Sequence, residues 1–193
     1  MGIFRLSQST VIATLKSRTS CAQLGDPPPT ADQLQTLFEV AFRAADHRQL
    51  KPWRFLVVEG EGLSRLGELF LSARQHNFPA PTPEECARLL ALPRRAPMIV
   101  VAISSIKEDP KVPEVEQLLS AGAAVQNMLN AAFAQGLGAI WRTGDLAFNR
   151  QVATGLGLAD SERIVAFLYL GTPKVPPRAP PPADIKNHVS HWP

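Results

Sequence analysis

The sequence predicts one α+β domain, and three observations support that prediction. The chain has 193 residues, of which 45% are hydrophobic and 19% charged, a composition typical of a single folded domain. Segments with helical spacing and short continuous apolar runs are interspersed along it, with helix dominant. No repeat or linker divides residues 1–193. We therefore expect a mixed, mostly antiparallel sheet flanked by helices.

The first half of the chain is predicted to form two helices and a buried strand. Residues 3–16 show a loose apolar face at helical spacing. The T-x-x-Q pattern at 30–33 is a capping box, and the apolar residues of 34–45 recur at i, i+3 and i+4, so the second helix is expected there. The polar stretch 46–52 ends this helix. The continuous apolar run 55–58 that follows is typical of a buried strand.

The second half is predicted to form three further helices and three strands. Leucines at helical spacing indicate one helix, and a Thr-Pro-Glu-Glu start, with acids at the positive helix end, indicates the next. Continuous apolar runs indicate the strands. In chain order these are helices over 63–73 and from 83, a strand over 98–103, a long helix over 114–135, and strands over 137–141 and 164–171.

Two segments of the second half are unusual in composition. The long helix contains the small-residue run Ser120–Ala124, and small side chains let another backbone approach closely. We therefore expect a partner packed against this helix. The tail over about 173–193 has six prolines in its first ten residues, so it is expected to run extended over a surface. A tail of this kind can wrap a partner subunit.

Charge and cysteine content argue against several classes of protein. The 20 basic and 17 acidic residues leave a net charge of only +3 without a run of bases, so nucleic-acid binding is not expected. No apolar stretch reaches about 18 residues, so no membrane span is expected. Two cysteines give no disulfide framework, and the cytoplasm is the simplest compartment. The absence of acids before Asp26 has a faint transit-peptide character, but an amphipathic first helix is the preferred interpretation.

The common cofactor and metal motifs are missing from the sequence. There is no G-x-x-x-x-G-K-[ST] loop, no complete dinucleotide fingerprint and no H-E-x-x-H motif. The four histidines lack the spacing of metal ligands, and His188 and His191 are interpreted as solvated, so no metal site is expected. Cys21 near Arg18 is interpreted as a small structural residue, because no general base accompanies it.

Three segments contain more charged and hydroxyl side chains than a connecting loop requires. Ser17–Ser20 places an arginine among hydroxyls where a helix ends, which suits a phosphate, although arginine-serine loops are common. In 43–53, three cations and His47 precede a strand; a helix end favours cations by itself, but the polar, proline-fixed exit is unexplained. The segment 136–144 ends a strand in Trp-Arg-Thr-Gly, which fits a planar phosphorylated ligand about as well as a core tryptophan beside a surface arginine.

These segments, in this order, resemble the nitroreductase family of FMN-dependent oxidoreductases, and most closely its short, minimal subgroup. The resemblance runs from about Leu15 to Thr172. It rests on the helix exit at 18–20, the Ala-Asp-His to Pro-Trp segment at 45–53, the S-A-G-A-A-x-Q-N-M helix at 120–128, the G-x-G-x-x-W-R-T-G segment at 136–144 and the strand at 167–173.

The resemblance implies which residues contact the cofactors. Two positions depart from the family pattern: Thr19 stands where a second base is usual, and Ala22 stands where longer members carry lysine. The bases Arg18, Arg43, His47 and Arg142 are present to offset that loss. The implied FMN contacts are Arg18, Thr19, Ser20, Arg43, His47, Trp141, Arg142 and Thr143, and the implied NAD(P) contacts are Ala131, Ala132, Phe133, Ala134, Gln135 and Gly136.

The resemblance also implies a three-layer α/β/α sandwich and an obligate homodimer with FMN at its interface. NAD(P)H is expected to reduce FMN, and nitroaromatic, quinone or similar electron-poor acceptors to take the electrons in a ping-pong cycle. The chemistry is the flavin's, so no catalytic acid or base is assigned. The alternative is a flavin-binding or redox-sensing protein with little turnover, which Thr19 and the short chain favour. A plain interaction module is a third interpretation, which bound flavin would exclude.

Overall fold

An antiparallel sheet forms the middle layer of the protein, whose structure is a computed structural model that describes residues 8–75 and 80–192. The strands are β1 (Leu24–Gly25), β2 (Trp53–Glu59), β3 (Met98–Ser105), β4 (Gly138–Arg142) and β5 (Glu162–Pro173). They follow the order β1-β5-β3-β2, and β4 also pairs with β5. All of these pairings are antiparallel, which confirms the predicted α+β class.

Helices cover both faces of this sheet. They are α1 (Gln8–Ser17), α2 (Ala31–Ala41), α3 (Glu61–Gln75), α4 (Pro83–Ala91), α5 (Glu114–Ala134), α6 (Gly144–Ala147) and α7 (Arg150–Gly155). One core cluster joins α2 and α5 to the sheet through Leu37, Met128 and Leu168. A second joins α3, α4 and α7 to the opposite face, with Phe70 and Phe167 in edge-to-face contact. The expected three-layer sandwich is therefore present.

Strand β3 supplies the centre of both clusters, because every residue from Met98 to Ser104 is buried. Side chains of a strand alternate between the two faces. Ile99 and Val101 accordingly pack on the α3 side, whereas Val100 packs on the α5 side. A strand buried on both faces is a continuous apolar run in the sequence, which is why this strand was predictable.

Element boundaries differ from the sequence prediction where the signal is short. The capping box at 30–33 is present in both directions, at 3.2 and 3.0 Å. Helix α2 ends at Ala41 rather than at residue 45, because Arg43 and Ala44 donate backbone hydrogen bonds three residues back and close a turn. Strand β1 and helices α6 and α7 were not predicted, since two to six residues show no periodicity. The predicted helical residues 3–7 and loop residues 76–79 lie outside the described residues.

The tail leaves the sheet at the end of β5 and stays at the surface. The Lys174 N–H donates to the Gln23 carbonyl oxygen at 2.9 Å, which fixes the start of the tail beside β1. Residues 174–192 are exposed and contain no helix or strand, with one turn at 185–189; an extended course for the tail stays a prediction. No helix in the described part of the chain has the length and apolar character needed to cross a membrane.

Candidate functional site

Two of the segments implied to bind FMN lie beside strand β4. The Cys21 N–H donates to the Ala139 carbonyl oxygen at 2.9 Å, so the loop that follows α1 is held along this strand. The other segment continues from the end of β4 into α6. We call these two segments, Arg18–Ser20 and Trp141–Gly144, the β4 exit. The structure therefore brings Cys21 beside Ala139, which lies 118 positions away in the sequence; Arg18–Ser20 precede this contact and Trp141–Gly144 follow it along the chain.

A cavity of about 600 Å³ opens at the β4 exit, on the face of the sheet that α3 and α4 cover. Its volume lies within the roughly 300–1,000 Å³ of small-molecule sites. Arg142 and Thr143 line it beside the aromatic side chains of Phe70, Phe167 and Tyr169. Apolar walls with a few charged groups are typical of a cofactor or substrate pocket.

Arg142 lies over the ring of Tyr169 in this cavity. Its guanidinium carbon is 5.7 Å from the ring centroid, which is within cation–π distance. Burial raises the pKa of the Tyr169 phenol, and the positive charges of Arg142 and Arg95 oppose that rise. The phenol is therefore protonated at neutral pH, and its ring serves Arg142 as an uncharged platform.

Two guanidinium groups of the β4 exit have buried N–H donors that no acceptor satisfies within residues 8–75 and 80–192. The atoms are Arg18 Nη1 and Arg142 Nε. A buried donor without an acceptor costs about 1–3 kcal/mol, and more when the group is charged. An anion is a suitable acceptor for a donor of this kind, and arginine is well suited to bind phosphate.

The remaining residues of the β4 exit contribute shape and hydroxyl groups. The Trp141 indole N–H donates to the Val165 carbonyl oxygen at 3.1 Å, so this polar atom is already satisfied. The ring packs on the α5 side of the sheet, near Gly122. Ser20 and Thr143 present exposed hydroxyls. Gly144 turns the chain at φ 61°, a conformation that favours glycine.

The other implied FMN contacts, Arg43 and His47, lie in the segment 43–53, which we call the α2 exit. Arg43 lines an open cleft together with Trp53, and this cleft is separate from the cavity at the β4 exit. His47 Nδ1 is 2.8 Å from Glu116 Oε2 on helix α5. Within one chain, the two exits therefore line different cavities.

The backbone of the α2 exit is strained. Arg48, Gln49 and Lys51 have φ values of 61°, 54° and 49°, in the left-handed region that residues other than glycine rarely adopt. The Asp46 carboxylate accepts the Lys51 N–H at 2.6 Å, and an ion pair of 3.1 Å joins Arg48 to Asp109. Such strain clusters at binding and switch sites, so the α2 exit is a functional candidate despite its separate cleft.

The implied NAD(P) contact, Ala131–Gly136, forms the end of α5 and the turn into β4. Ala132 is fully buried, so its side chain is closed to any ligand. Ala134 and Gly136 are exposed. Phe133 and Gly136 line a small cavity of about 170 Å³ together with Thr19 and the start of the tail. The stretch therefore lies near the β4 exit, but only part of it is accessible.

The histidine and cysteine side chains of the described residues show no metal chemistry. No group of three or more His, Cys, Asp or Glu side chains in those residues is placed to hold a metal ion. His188 and His191 are exposed on the tail. Cys21 is half-buried, and its thiol donates to the Gln23 carbonyl oxygen at 3.3 Å, which agrees with a structural role.

Sequence reasoning missed Arg95, Tyr169 and Phe70 as residues of the cavity. Phe70 and Tyr169 have the spacing of ordinary core residues on a helix and a strand. Arg95 follows α4 in a short turn and resembles a solvated surface base. No local signal marks these residues, because packing of helices on the sheet brings them together from distant parts of the chain.

Comparison with known proteins confirms the resemblance noted in the sequence. The model of the Nitroreductase family matches residues 15–172. YdjA of Escherichia coli (strain K12), by name a candidate NAD(P)H nitroreductase, is 40% identical over 162 residues, which cover 83% of this chain and 87% of that protein. A candidate NAD(P)H nitroreductase of Haemophilus influenzae is 36% identical over 164 residues, with the same shares covered.

Solved structures agree with the fold. A nitroreductase-like family protein from Bacillus cereus has a TM-score of 0.81 at 26% identity, with 99% of each chain covered. A candidate nitroreductase from Desulfovibrio desulfuricans, solved in complex with FMN, has a TM-score of 0.74 at 20% identity, with 97% of this chain and 99% of that chain covered. At 20% identity the second likeness concerns the fold alone.

Proposed function

This chain belongs to the nitroreductase family, and from that premise we propose that it is an FMN-dependent oxidoreductase. It would pass electrons from NAD(P)H to nitroaromatic, quinone or similar electron-poor acceptors. The observation that carries the proposal is the pair of buried, unsatisfied guanidinium donors of Arg18 and Arg142 at the β4 exit. Bound FMN would supply the redox chemistry, accepting a hydride from NAD(P)H and giving two electrons to the acceptor.

The residues of the β4 exit fit FMN. Arg18 and Arg142 offer charged donors and Ser20 an exposed hydroxyl for its phosphate, and Thr143 offers a second hydroxyl. The aromatic and apolar walls of the cavity suit a large planar ring. FMN is favoured over FAD because the sequence has no dinucleotide fingerprint to hold an adenosine half.

We propose that a second copy of the chain completes each flavin site. Arg43 lines a cleft apart from the cavity at the β4 exit of its own chain, and His47 contacts Glu116 on α5, so both would reach the flavin as residues of the partner. A large apolar surface is available for the contact, since Val115, Leu119 and Phe148 are 59%, 68% and 81% exposed. Exposed apolar patches of this kind mark interaction surfaces.

The hydride donor and the electron acceptor would react with the flavin in turn, in a ping-pong cycle. Ala134 and Gly136 are the accessible part of the stretch that the resemblance assigns to NAD(P). Their backbone would contact the nicotinamide cofactor beside the β4 exit.

The visible spectrum of the purified protein tests this proposal. We expect a yellow protein whose flavin absorbance bleaches with NAD(P)H in the absence of oxygen and returns on addition of a nitroaromatic or quinone. Titration of the apoprotein with FMN and with FAD should show tighter binding of FMN. Equal or tighter binding of FAD would contradict the assignment of Arg18, Ser20 and Arg142 to a single phosphate.

Thr19 favours a second candidate function, a flavin-binding protein with little turnover. It stands where the family has a base and is half-buried beside Phe133 and Gly136, so the phosphate would lack one charged partner. Bound flavin that NAD(P)H does not bleach would support this second candidate. A protein that takes up no flavin would overturn both.

A further inference from the structure

The cavity at the β4 exit has more positive charge on its wall than its acids neutralise. It is lined by the bases Arg74, Arg88, Arg95 and Arg142 and by the acids Glu85 and Asp145. The cavity therefore has an excess of positive charge. A site of this sign concentrates anions and orients them.

The bases of the cavity differ in how they are paired. Arg74 donates to the Glu85 carboxylate at 3.0 and 3.4 Å, and Arg88 lies 4.0 Å from the same group. Arg142 lies over Tyr169 at the β4 exit. Arg95 is exposed, and within the described residues its side chain forms no ion pair with an acid. Arg95 is thus the cation of this wall that is open to solvent and free to bind a ligand.

The neighbouring Arg94 provides a contrast. Its Nη2 donates to the Ser64 hydroxyl at 2.6 Å, and it lines a different depression of the surface. The charge of Arg95 acts on the cavity, since together with Arg142 it opposes the rise in the pKa of Tyr169. The two adjacent arginines therefore have different contacts: Arg94 binds Ser64 on helix α3, whereas Arg95 lines the cavity.

We propose that Arg95 recognises an anionic group on the electron acceptor, so that the enzyme prefers aromatic acceptors that carry a carboxylate to neutral ones. The proposal rests on the flavin assignment given above. Phe70, Leu89 and Leu92 provide apolar wall for the acceptor's ring. The guanidinium of Arg95, at the solvent-exposed rim, offers the planar fork that matches a carboxylate.

The test compares 4-nitrobenzoate with neutral nitrobenzene as acceptors for the FMN-loaded protein. We expect Arg95→Ala to raise the KM for 4-nitrobenzoate roughly fivefold, the size of an exposed charge pair, and to leave nitrobenzene unchanged. The matched control Arg94→Ala should change neither. The difference in the KM for 4-nitrobenzoate between Arg95→Ala and the parent should shrink at about 1 M salt, where the Debye length falls to about 3 Å.

A binding measurement without turnover completes the test. Calorimetric titration with benzoate should show the same roughly fivefold loss of affinity in Arg95→Ala, whether or not flavin is bound. Equal effects on both acceptors, or no effect on benzoate, would overturn the proposal. A raised KM for NADPH with unchanged acceptor kinetics would assign Arg95 to the hydride donor and would also overturn it. Arg95-dependent benzoate binding in a protein that takes up no flavin would refute the proposed function and leave the anion site standing.

Discussion

The β4 exit and the α2 exit are both rich in cations, but they hold them differently. At the β4 exit, Arg18 and Arg142 are half-buried and have donors without acceptors within the described residues. At the α2 exit, Arg43 is exposed, while His47 and Arg48 are paired with carboxylates on other elements. The strained backbone belongs to the α2 exit.

We interpret the β4 exit as a binding site that one chain forms by itself, and the α2 exit as part of a site that one chain leaves incomplete. Buried, unsatisfied donors cost free energy in the unliganded chain and are relieved directly by an anion. Exposed cations contribute little to the stability of the chain, and a strained backbone costs free energy. Their placement therefore indicates a contact with a group outside the chain. We propose that this contact is the flavin site of a partner subunit.

The largest effect is expected from Gly122→Leu, which tests the partner subunit. Within the chain, a Cβ at Gly122 would lie 3.6 Å from Trp141 Cη2, an ordinary contact, so the protomer should fold. Overpacking a close subunit contact costs about 1–3 kcal/mol or more, and symmetry applies it twice. We expect the dimer to separate and the flavin to be lost with it, which light scattering and flavin absorbance measure on one column.

Gly67→Leu is the control for overpacking inside one chain. A Cβ at Gly67 would lie 2.5 Å from the Leu90 carbonyl oxygen, so this variant should lose its secondary structure by circular dichroism, whereas Gly122→Leu should keep it. A Gly122→Leu protein that remains a dimer with full flavin would show that the small-residue run of α5 packs within one subunit. A folded monomer with full flavin would remove the interface site.

The next largest effect is expected on FMN affinity, and it is tested by replacing one arginine from each exit. Arg18→Ala should weaken FMN binding about ten- to hundredfold, because a hydrogen bond to a charged group is worth about 1.5–3 kcal/mol. Arg48→Ala should change it little, because this side chain is exposed and paired with Asp109. Fluorescence titration of the apoproteins measures both. Equal FMN affinities in the two variants would remove the distinction between the exits.

The parts of this comparison that were predictable from sequence are the ones with local signals. The long periodic run of α5, the apolar run of β3 and the capping box at 30–33 each specify their own structure, because the pattern and the contacts lie in the same segment. The end of α2 was placed too late, because apolar spacing continued past Ala41 while the backbone had already turned.

The electrostatic partners were not predictable, because they come from distant segments. His47 pairs with Glu116 across 69 positions, and Arg95 and Tyr169 line one cavity although they lie 74 positions apart. Sequence patterns report which groups are present and which periodicity they follow. Whether a given arginine is paired, buried or free depends on tertiary packing, and that property distinguishes the two exits.

The ion pair between Arg54, which follows the α2 exit, and Glu162 is expected to have an effect of intermediate size on stability. Arg54 donates to Glu162 at 2.6 and 2.7 Å, and this bond lowers the pKa of the Glu162 carboxyl from 4.5 to about 2. Because the folded state favours the charged form, the stabilisation is complete above the unfolded pKa and is lost as pH falls towards 2. We expect this pair to lose about 2 kcal/mol of unfolding free energy between pH 6 and pH 3.

Urea unfolding of Glu162→Gln measures that contribution. The variant should be less stable than the parent at pH 6, and the gap should narrow at pH 3, where the parent has lost most of the benefit. Glu61→Gln is the matched control, because its pairing with Arg65 is exposed at 3.5 Å and contributes little. A gap between Glu162→Gln and the parent that stays constant with pH would show that the Arg54 contact acts by packing rather than by charge.

The smallest effect concerns how the β4 exit holds its arginine. Arg142 lies 5.7 Å above the ring of Tyr169, and a cation–π contact of this kind is worth about 0.5–1 kcal/mol at exposed sites. Tyr169→Leu should therefore weaken FMN binding roughly two- to fivefold, since the guanidinium loses the platform that fixes its orientation.

Tyr169→Phe keeps the ring and removes only the hydroxyl, so its FMN affinity should match that of the parent. If Tyr169→Phe weakens FMN binding as much as Tyr169→Leu does, the hydroxyl and not the ring is the group that matters. The cation–π contact with the ring would then not be what positions Arg142 at the β4 exit.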